Sequence, residues 1–129
     1  MYLIDTNIFL EVLLSRKNKD KCSSFLKEVQ EGNIKAIMTD FSLHSLMVLM
    51  ESFGKLKELK EFLIIISQFK GLMIYNTTIE DELKIIDISI NSKLDFDDAV
   101  QYYTAKENSA SIVSYDKDFD KLDVKRIEP

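Results

Sequence analysis

Three glycines, one proline, one cysteine and one histidine are all that the 129 residues contain of those types. So few glycines and prolines fit a helix-rich chain with short connections, and they leave no glycine-rich loop of the kind that cradles phosphates. Cys22 has no second cysteine with which to close a disulfide and no metal-type spacing around it, so it reads as a partly buried thiol of a reducing cytoplasm. With His44 as the sole histidine, two-histidine mechanisms within one chain are excluded, and no Ser–His–Asp set competes. Long hydrophobic runs are missing as well. The most apolar, Phe62–Ile66, is bounded by Glu61 and Gln68, whereas a membrane helix needs roughly 18 consecutive apolar residues. No basic region precedes a hydrophobic one at the N-terminus, where Asp5 interrupts early, so no signal peptide is expected. Positive charge is not in excess either: 17 basic residues against 22 acidic ones give a net charge of −5. That argues against a simple nucleic-acid binder. It leaves a nuclease open, because a cation can bridge carboxylates to phosphates.

What is present is a globular composition, 46% hydrophobic and 30% charged, with no repeat, low-complexity segment or linker to split residues 1–129 into more than one domain. The pattern along the chain alternates. Tyr2–Ile4 reads as a buried strand, followed by a helix to about Leu14 that any of Asp5, Thr6 and Asn7 can cap. Helical spacing at Cys22, Phe25, Leu26 and Val29 predicts a helix over 22–31, stopped by Gly32. Ile34–Met38 is a second strand, and Phe41–Phe53 and Lys55–Phe69 are helices. Leu72–Tyr75 is a third strand, and Thr77 or Thr78 caps a helix to about Ser92. Asp95 or Asp97 opens a further helix to about Glu107. Ala110–Ser114 is a fourth strand, Tyr115–Leu122 a turn with a short helix, and Val124–Ile127 a fifth strand. Strands alternating with helices imply a mostly parallel sheet of four to five strands covered on both faces, an α/β class.

The stretch Leu94–Asp120 organises the chemistry. It opens on Asp95, Asp97 and Asp98, passes through a helical run and an apolar segment, and ends in SYDKDFD. Asp5 closes the first strand at the other end of the chain. Acids at the ends of strands and the starts of helices converge on one sheet edge, where open α/β sheets place ligand groups. Clustered carboxylates repel one another unless a cation lies between them, and hard divalent ions prefer oxygen ligands.

Three segments, an apolar run ending IDTN, the helix start DDAVQYYTA and the late IVSYDKDFDKL, together resemble PIN-domain ribonucleases, in particular the VapC-type toxins of prokaryotic toxin–antitoxin pairs. The resemblance spans nearly the whole chain. It implies an α/β/α sandwich and a Mg2+- or Mn2+-dependent endoribonuclease that hydrolyses RNA phosphodiesters in the cytoplasm, with an antitoxin partner, homodimerisation and no membrane association. Matched by position, Asp5, Asp98 and Asp116 are its catalytic metal ligands, and Thr6, Asn7 and Ser114 match polar positions that steady the carboxylates or a water. One departure stands out. The family usually carries a glutamate early in the helix after the second strand, and here TDFSLHSLMVLME offers His44 or Ser45 instead, with Asp40 or Glu11 as other sources of charge.

Each residue also has a plainer role to weigh. Asp5 reads equally as a helix cap. Asp118, Asp120 and Asp123 read as solvated, as does Glu11, and the basic residues Arg16, Lys17, Lys19 and Lys21 read as a solvated run rather than a phosphate contact. A lone histidine such as His44 is more often structural than a ligand. The helix pair Phe41–Phe69, with Met38, Met47 and Met50 around it, is apolar enough to include an interface. Two other readings follow: a degenerate PIN-like module that binds RNA or a protein without turnover, and, ranked last because it lacks the lysine expected after a late strand, a receiver-type α/β domain.

Overall fold

The computed structural model describes residues 1–129. Five strands, β1 (Tyr2–Ile4), β2 (Ala36–Thr39), β3 (Leu72–Tyr75), β4 (Ser111–Val113) and β5 (Arg126–Ile127), form one sheet in the order β3-β2-β1-β4-β5. Every pairing is parallel. Six helices connect them: α1 (Thr6–Leu13), α2 (Lys19–Glu31), α3 (Asp40–Ser52), α4 (Leu56–Ile66), α5 (Ile79–Ser92) and α6 (Phe96–Glu107). The expected α/β/α sandwich is therefore present, with the sheet parallel throughout.

Strand alternation divides the core between the two faces. Ile4, Ala36, Met38 and Val113 pack with residues of α1 to α4, among them Phe9, Leu26, Leu46 and Leu59. Leu3, Ile37 and Ile112 face the other way, onto Ala105 and Phe119, and α5 closes over α6 through Ile85, Ala99, Val100 and Tyr103. The sheet is thus buried on both sides, as a parallel sheet requires. No helix is long and apolar enough to cross a membrane.

The connectivity fixes where a site can form. The chain runs outward from β1 to β2 and β3, then returns across the sheet to place β4 on the other side of β1. The strand order reverses between β1 and β4, and a crevice opens at such a switch point beyond the carboxyl ends of the strands. Asp5 follows β1 directly, and Ser114 follows β4. At the opposite end of the strands, Gly71 is required by close approach: a Cβ there would lie 2.1 Å from the Ile34 carbonyl oxygen, while the Gly71 carbonyl accepts the Ala36 amide at 2.8 Å. Element bounds agree with the sequence expectations to within a few residues. The largest shifts are three residues: α2 starts at Lys19 rather than Cys22, after an Asn18 that makes no side-chain cap bond, and α4 ends at Ile66 rather than Phe69.

Candidate metal centre at the carboxyl edge of the sheet

Asp5 is both a helix cap and a buried acid. Its backbone is extended (φ −63°, ψ 141°), and its Oδ1 accepts the Asn7 amide at 3.3 Å, yet the residue is only 3% exposed. The Ser114 hydroxyl donates to Asp5 Oδ2 at 2.6 Å and Gln101 Nε2 donates to Oδ1 at 3.3 Å. Burial raises the Asp5 carboxyl above its ordinary range; the bonds from Ser114, Asn7 and Gln101 oppose the rise, and Asp116 adds repulsion. Capping through Oδ1 does not exclude the metal role weighed for Asp5.

Helix α6 brings the second set of acids. Asp95 is its N-cap, accepting the Asp98 amide at 2.9 Å, which leaves Asp97 and Asp98 in the first turn, where negative charge is favoured by the helix dipole. Gln101 lies one turn beyond Asp97 on the same face. Its Nε2 also donates to Asp97 Oδ1 at 3.1 Å, so one amide ties Asp5 and Asp97 together. Burial raises the Asp97 carboxyl; Gln101 opposes the rise, and Asp5, Asp95 and Asp116 add to it. For Asp98 the same burial, followed by repulsion from Asp95, Asp116, Asp97 and Asp5, pushes the carboxyl up to about 7. Asp116 completes the edge: its amide donates to Ser114 Oγ at 2.9 Å, and its Oδ1 caps the 3-10 turn Lys117–Lys121 through the Asp118 amide at 2.9 Å. Ser114 therefore joins the β1 and β4 ends through a single hydroxyl.

The remaining candidates divide. The Thr6 hydroxyl turns away from the carboxylates and donates to Ser42 Oγ at 2.8 Å, in a buried set with Thr39. Asn7 and His44 are exposed and line the same cavity as Asp97. Both Asp40 oxygens are in structural use, Oδ1 on the Phe41 amide at 2.9 Å and Oδ2 on the Thr77 amide at 3.2 Å, which ties α3 to the loop before α5. Glu11 accepts the Asn18 amide at 2.8 Å and braces the α1–α2 turn. Neither is among the main charges that raise Asp5, Asp97 or Asp98. Asp118, Asp120 and Asp123 are exposed but paired, with Lys121, Arg126 and Lys106 respectively. Arg126 also donates to the Ser114 carbonyl at 2.8 Å, which fixes β5 against the site strand. Sequence reading missed Gln101 and left Asp97 as a capping candidate. The signal for both was their four-residue spacing on an acid-initiated helix.

No three His, Cys, Asp or Glu side chains are grouped tightly enough to hold a metal ion as they stand. The chemistry of the donor set nevertheless fits a hard divalent cation. Every candidate donor is an oxygen, three carboxyls are raised by burial and mutual repulsion, and Gln101 Oε1, on a residue 1% exposed, has no hydrogen-bond partner. A cation at this edge would relieve the repulsion.

The sequence pattern of the PIN domain family matches residues 2–125. No curated protein matches the chain. Among solved structures, the fold is similar to VapC20 of Mycobacterium tuberculosis, described as a Sarcin-Ricin loop cleaving toxin, at a TM-score of 0.83 and 10% identity, covering 100% of both chains. It is also similar to VapBC2 of Rickettsia felis bound to a DNA fragment of its promoter (TM-score 0.73, 14% identity, 98% of this chain and 97% of that one). A toxin–antitoxin complex from Klebsiella pneumoniae matches at a TM-score of 0.72 and 17% identity, covering 100% of this chain and 98% of that one.

Proposed function

Because the chain belongs to the PIN domain family, we propose that its acid edge is the centre of a Mg2+- or Mn2+-dependent endoribonuclease acting as the toxin of a toxin–antitoxin pair in the cytoplasm. The observation that carries this reading is the convergence of Asp5, Asp97, Asp98 and Asp116 on the switch point between β1 and β4, with the carboxyls of Asp5, Asp97 and Asp98 raised. Asp5, Asp98 and Asp116 would hold the ion, with Asp97 beside them. The chemistry a divalent ion supplies there is charge neutralisation on the phosphodiester and acidification of a water.

This chain's own residues position and exclude. Ser114 and Gln101 hold Asp5 by hydrogen bonds to both of its oxygens, so its orientation does not depend on the ligand. Asp95 and Asp116 spend an oxygen each on capping, which fixes the first turns of α6 and of the 3-10 segment, and with them the other acids. Burial of Asp5 keeps bulk water from its carboxylate and strengthens every charge interaction at the edge.

An antitoxin partner is supported by the likeness to toxin–antitoxin structures, and a nucleolytic activity by the family and by the likeness to a toxin described as Sarcin-Ricin loop cleaving. Homodimerisation is supported by α5, where Ile79, Leu83, Ile86 and Ile90 form an exposed apolar row at alternating spacings of four and three, the pattern of a helix seam.

The test is cleavage of an RNA panel by purified protein with Mg2+ or Mn2+. Asp5→Asn and Asp98→Asn are expected to lower turnover by at least about a thousandfold, the scale of losing a major electrostatic contribution, with circular dichroism unchanged. Undiminished cleavage by either variant would refute the assignment. One observation favours the second reading, a non-catalytic module: with Asp40 and Glu11 committed elsewhere, no carboxylate from α3 or α1 joins the edge. That reading predicts RNA or protein binding without turnover under any divalent ion.

A further inference from the structure

Beside the carboxylates, α1, α3 and the first turn of α6 enclose an open cavity of about 510 Å³, which the chemistry above does not use. Its volume lies in the range of small-ligand sites. Leu10, Phe41 and Val48 make apolar walls, while Asn7, His44 and Ser45 add polar groups. Asp97 and Thr6 form the side shared with the acid edge, so whatever sits in the cavity adjoins whatever is bound by the acids.

The lining selects the class of occupant. No lysine or arginine is present, so the cavity does not suit a phosphate; an uncharged planar ring suits it better. Phe41 is held at the wall by an edge-to-face contact with Phe96, ring centroids 5.3 Å apart, and an aromatic ring fixed in this way is a platform on which any base can stack. Asn7 gives only its backbone N–H to the network around Asp5. That leaves its side-chain amide, with the His44 imidazole and the Ser45 hydroxyl, facing the cavity as donors and acceptors for a base edge. A partner helix has a better seat nearby, in the more apolar groove of about 640 Å³ between α3 and α4.

The geometry points to a nucleobase subsite: this cavity takes one base of the RNA strand next to the phosphate held at the acid edge, stacked on the Phe41 side, with Asn7, His44 and Ser45 reading its edge. The inference rests on the ribonuclease reading and deepens it. It also gives His44 a role that does not require it to replace a metal ligand: selection of the base beside the cleavage position.

Backbone-amide NMR titrations with AMP, GMP, CMP, UMP and ribose 5-phosphate, all with Mg2+ present, test it. The nucleotides are expected to shift the signals of Phe41, His44 and Ser45, with one base preferred, while ribose 5-phosphate moves only signals at the acid edge. Val48 is 69% exposed, so Val48→Glu does not threaten the fold. By placing a charge in the apolar wall it should weaken nucleotide binding about tenfold, and leave binding of Mg2+ and of ribose 5-phosphate unchanged. Three results would overturn the subsite: nucleotide affinity equal to that of ribose 5-phosphate, nucleotide affinity unaltered by Val48→Glu, or cavity signals that nucleotides do not move. The last would leave a peptide surface as the remaining class. Since the readout is binding, absence of RNA cleavage under any divalent ion would count against the nuclease reading alone.

Discussion

At the scale of single residues, the molecule concentrates its cost at the acid edge. Asp5, Asp97 and Asp98 all have carboxyls raised in the folded state, chiefly by burial. The folded protein therefore binds protons more tightly there than the unfolded chain does, and these groups contribute stability that is lost as pH rises from about 4, the unfolded carboxylate range, through their folded values. For Asp98 the folded value is about 7. In chelator-treated protein, urea denaturation should accordingly show these groups destabilising the fold more at pH 8 than at pH 6, and saturating Mg2+ should remove most of that slope. Asp98→Asn should stabilise the metal-free protein at pH 8, on the order of 1 kcal/mol after allowing for solvent screening. A variant less stable than wild type under those conditions would contradict the claim that Asp98 is held at a cost. Gln101 works in the opposite direction. Gln101→Leu removes the donor shared by Asp5 and Asp97 and should cost about 1–3 kcal/mol at pH 8, a loss that shrinks as pH falls through the raised values of the two carboxyls; a pH-independent loss would assign Gln101 a packing role instead.

At the scale of elements, the caps carry the site. Asp95 opens α6 and also heads the charges that raise Asp98, so the two effects separate in Asp95→Ser. Serine preserves the cap, leaving thermal stability within about 0.5 kcal/mol of wild type, while the Asp98 titration followed by NMR moves down. An unmoved titration would show that Asp95 does not contribute to the rise and leave it to burial and the other three acids. On the far side of the sheet Gly71→Ala should cost more than about 2 kcal/mol, because the Cβ meets a backbone carbonyl that cannot yield without breaking the β2–β3 edge. These elements are also where the sequence was most legible. Short apolar runs ending in Asp5, Thr39 and Ser114, and caps at Thr78 and Asp95, announce strand and helix boundaries by local chemistry. What was not legible is rotational phase. Whether Asp97 or Asp98 meets Asp5 depends on how α6 rolls when Ala99, Val100 and Tyr103 seat against their neighbours, a packing outcome invisible in the spacing of acids. Thr6 illustrates the same limit: it is adjacent to Asp5 in sequence, yet its hydroxyl serves Ser42 because that partner arrives from 36 residues away.

At the scale of the whole molecule, the parallel sheet sets one edge for chemistry and leaves two apolar surfaces for company. The row Ile79, Leu83, Ile86 and Ile90 on α5 and the groove of Met47, Leu56 and Ile64 on α3 and α4 are distinct, exposed, and unneeded for the core. Patches of this kind on a folded chain mark interaction sites. Leu83 is 61% exposed, so Leu83→Glu should convert a dimer to monomer in light scattering without lowering the melting temperature; a wild-type monomer at micromolar concentration would remove the homodimer from the account. Topology puts the switch point between β1 and β4, where Asp5 follows β1 and Ser114 follows β4. The proposed function requires a divalent cation at this edge. Calorimetric titration of Mn2+ into wild type and Asp98→Asn tests it most directly: the account predicts a binding isotherm for wild type that weakens at least about tenfold in the variant, with protons released on binding at pH 6.5. Absence of binding by the folded wild-type protein, or equal binding by both, would contradict it.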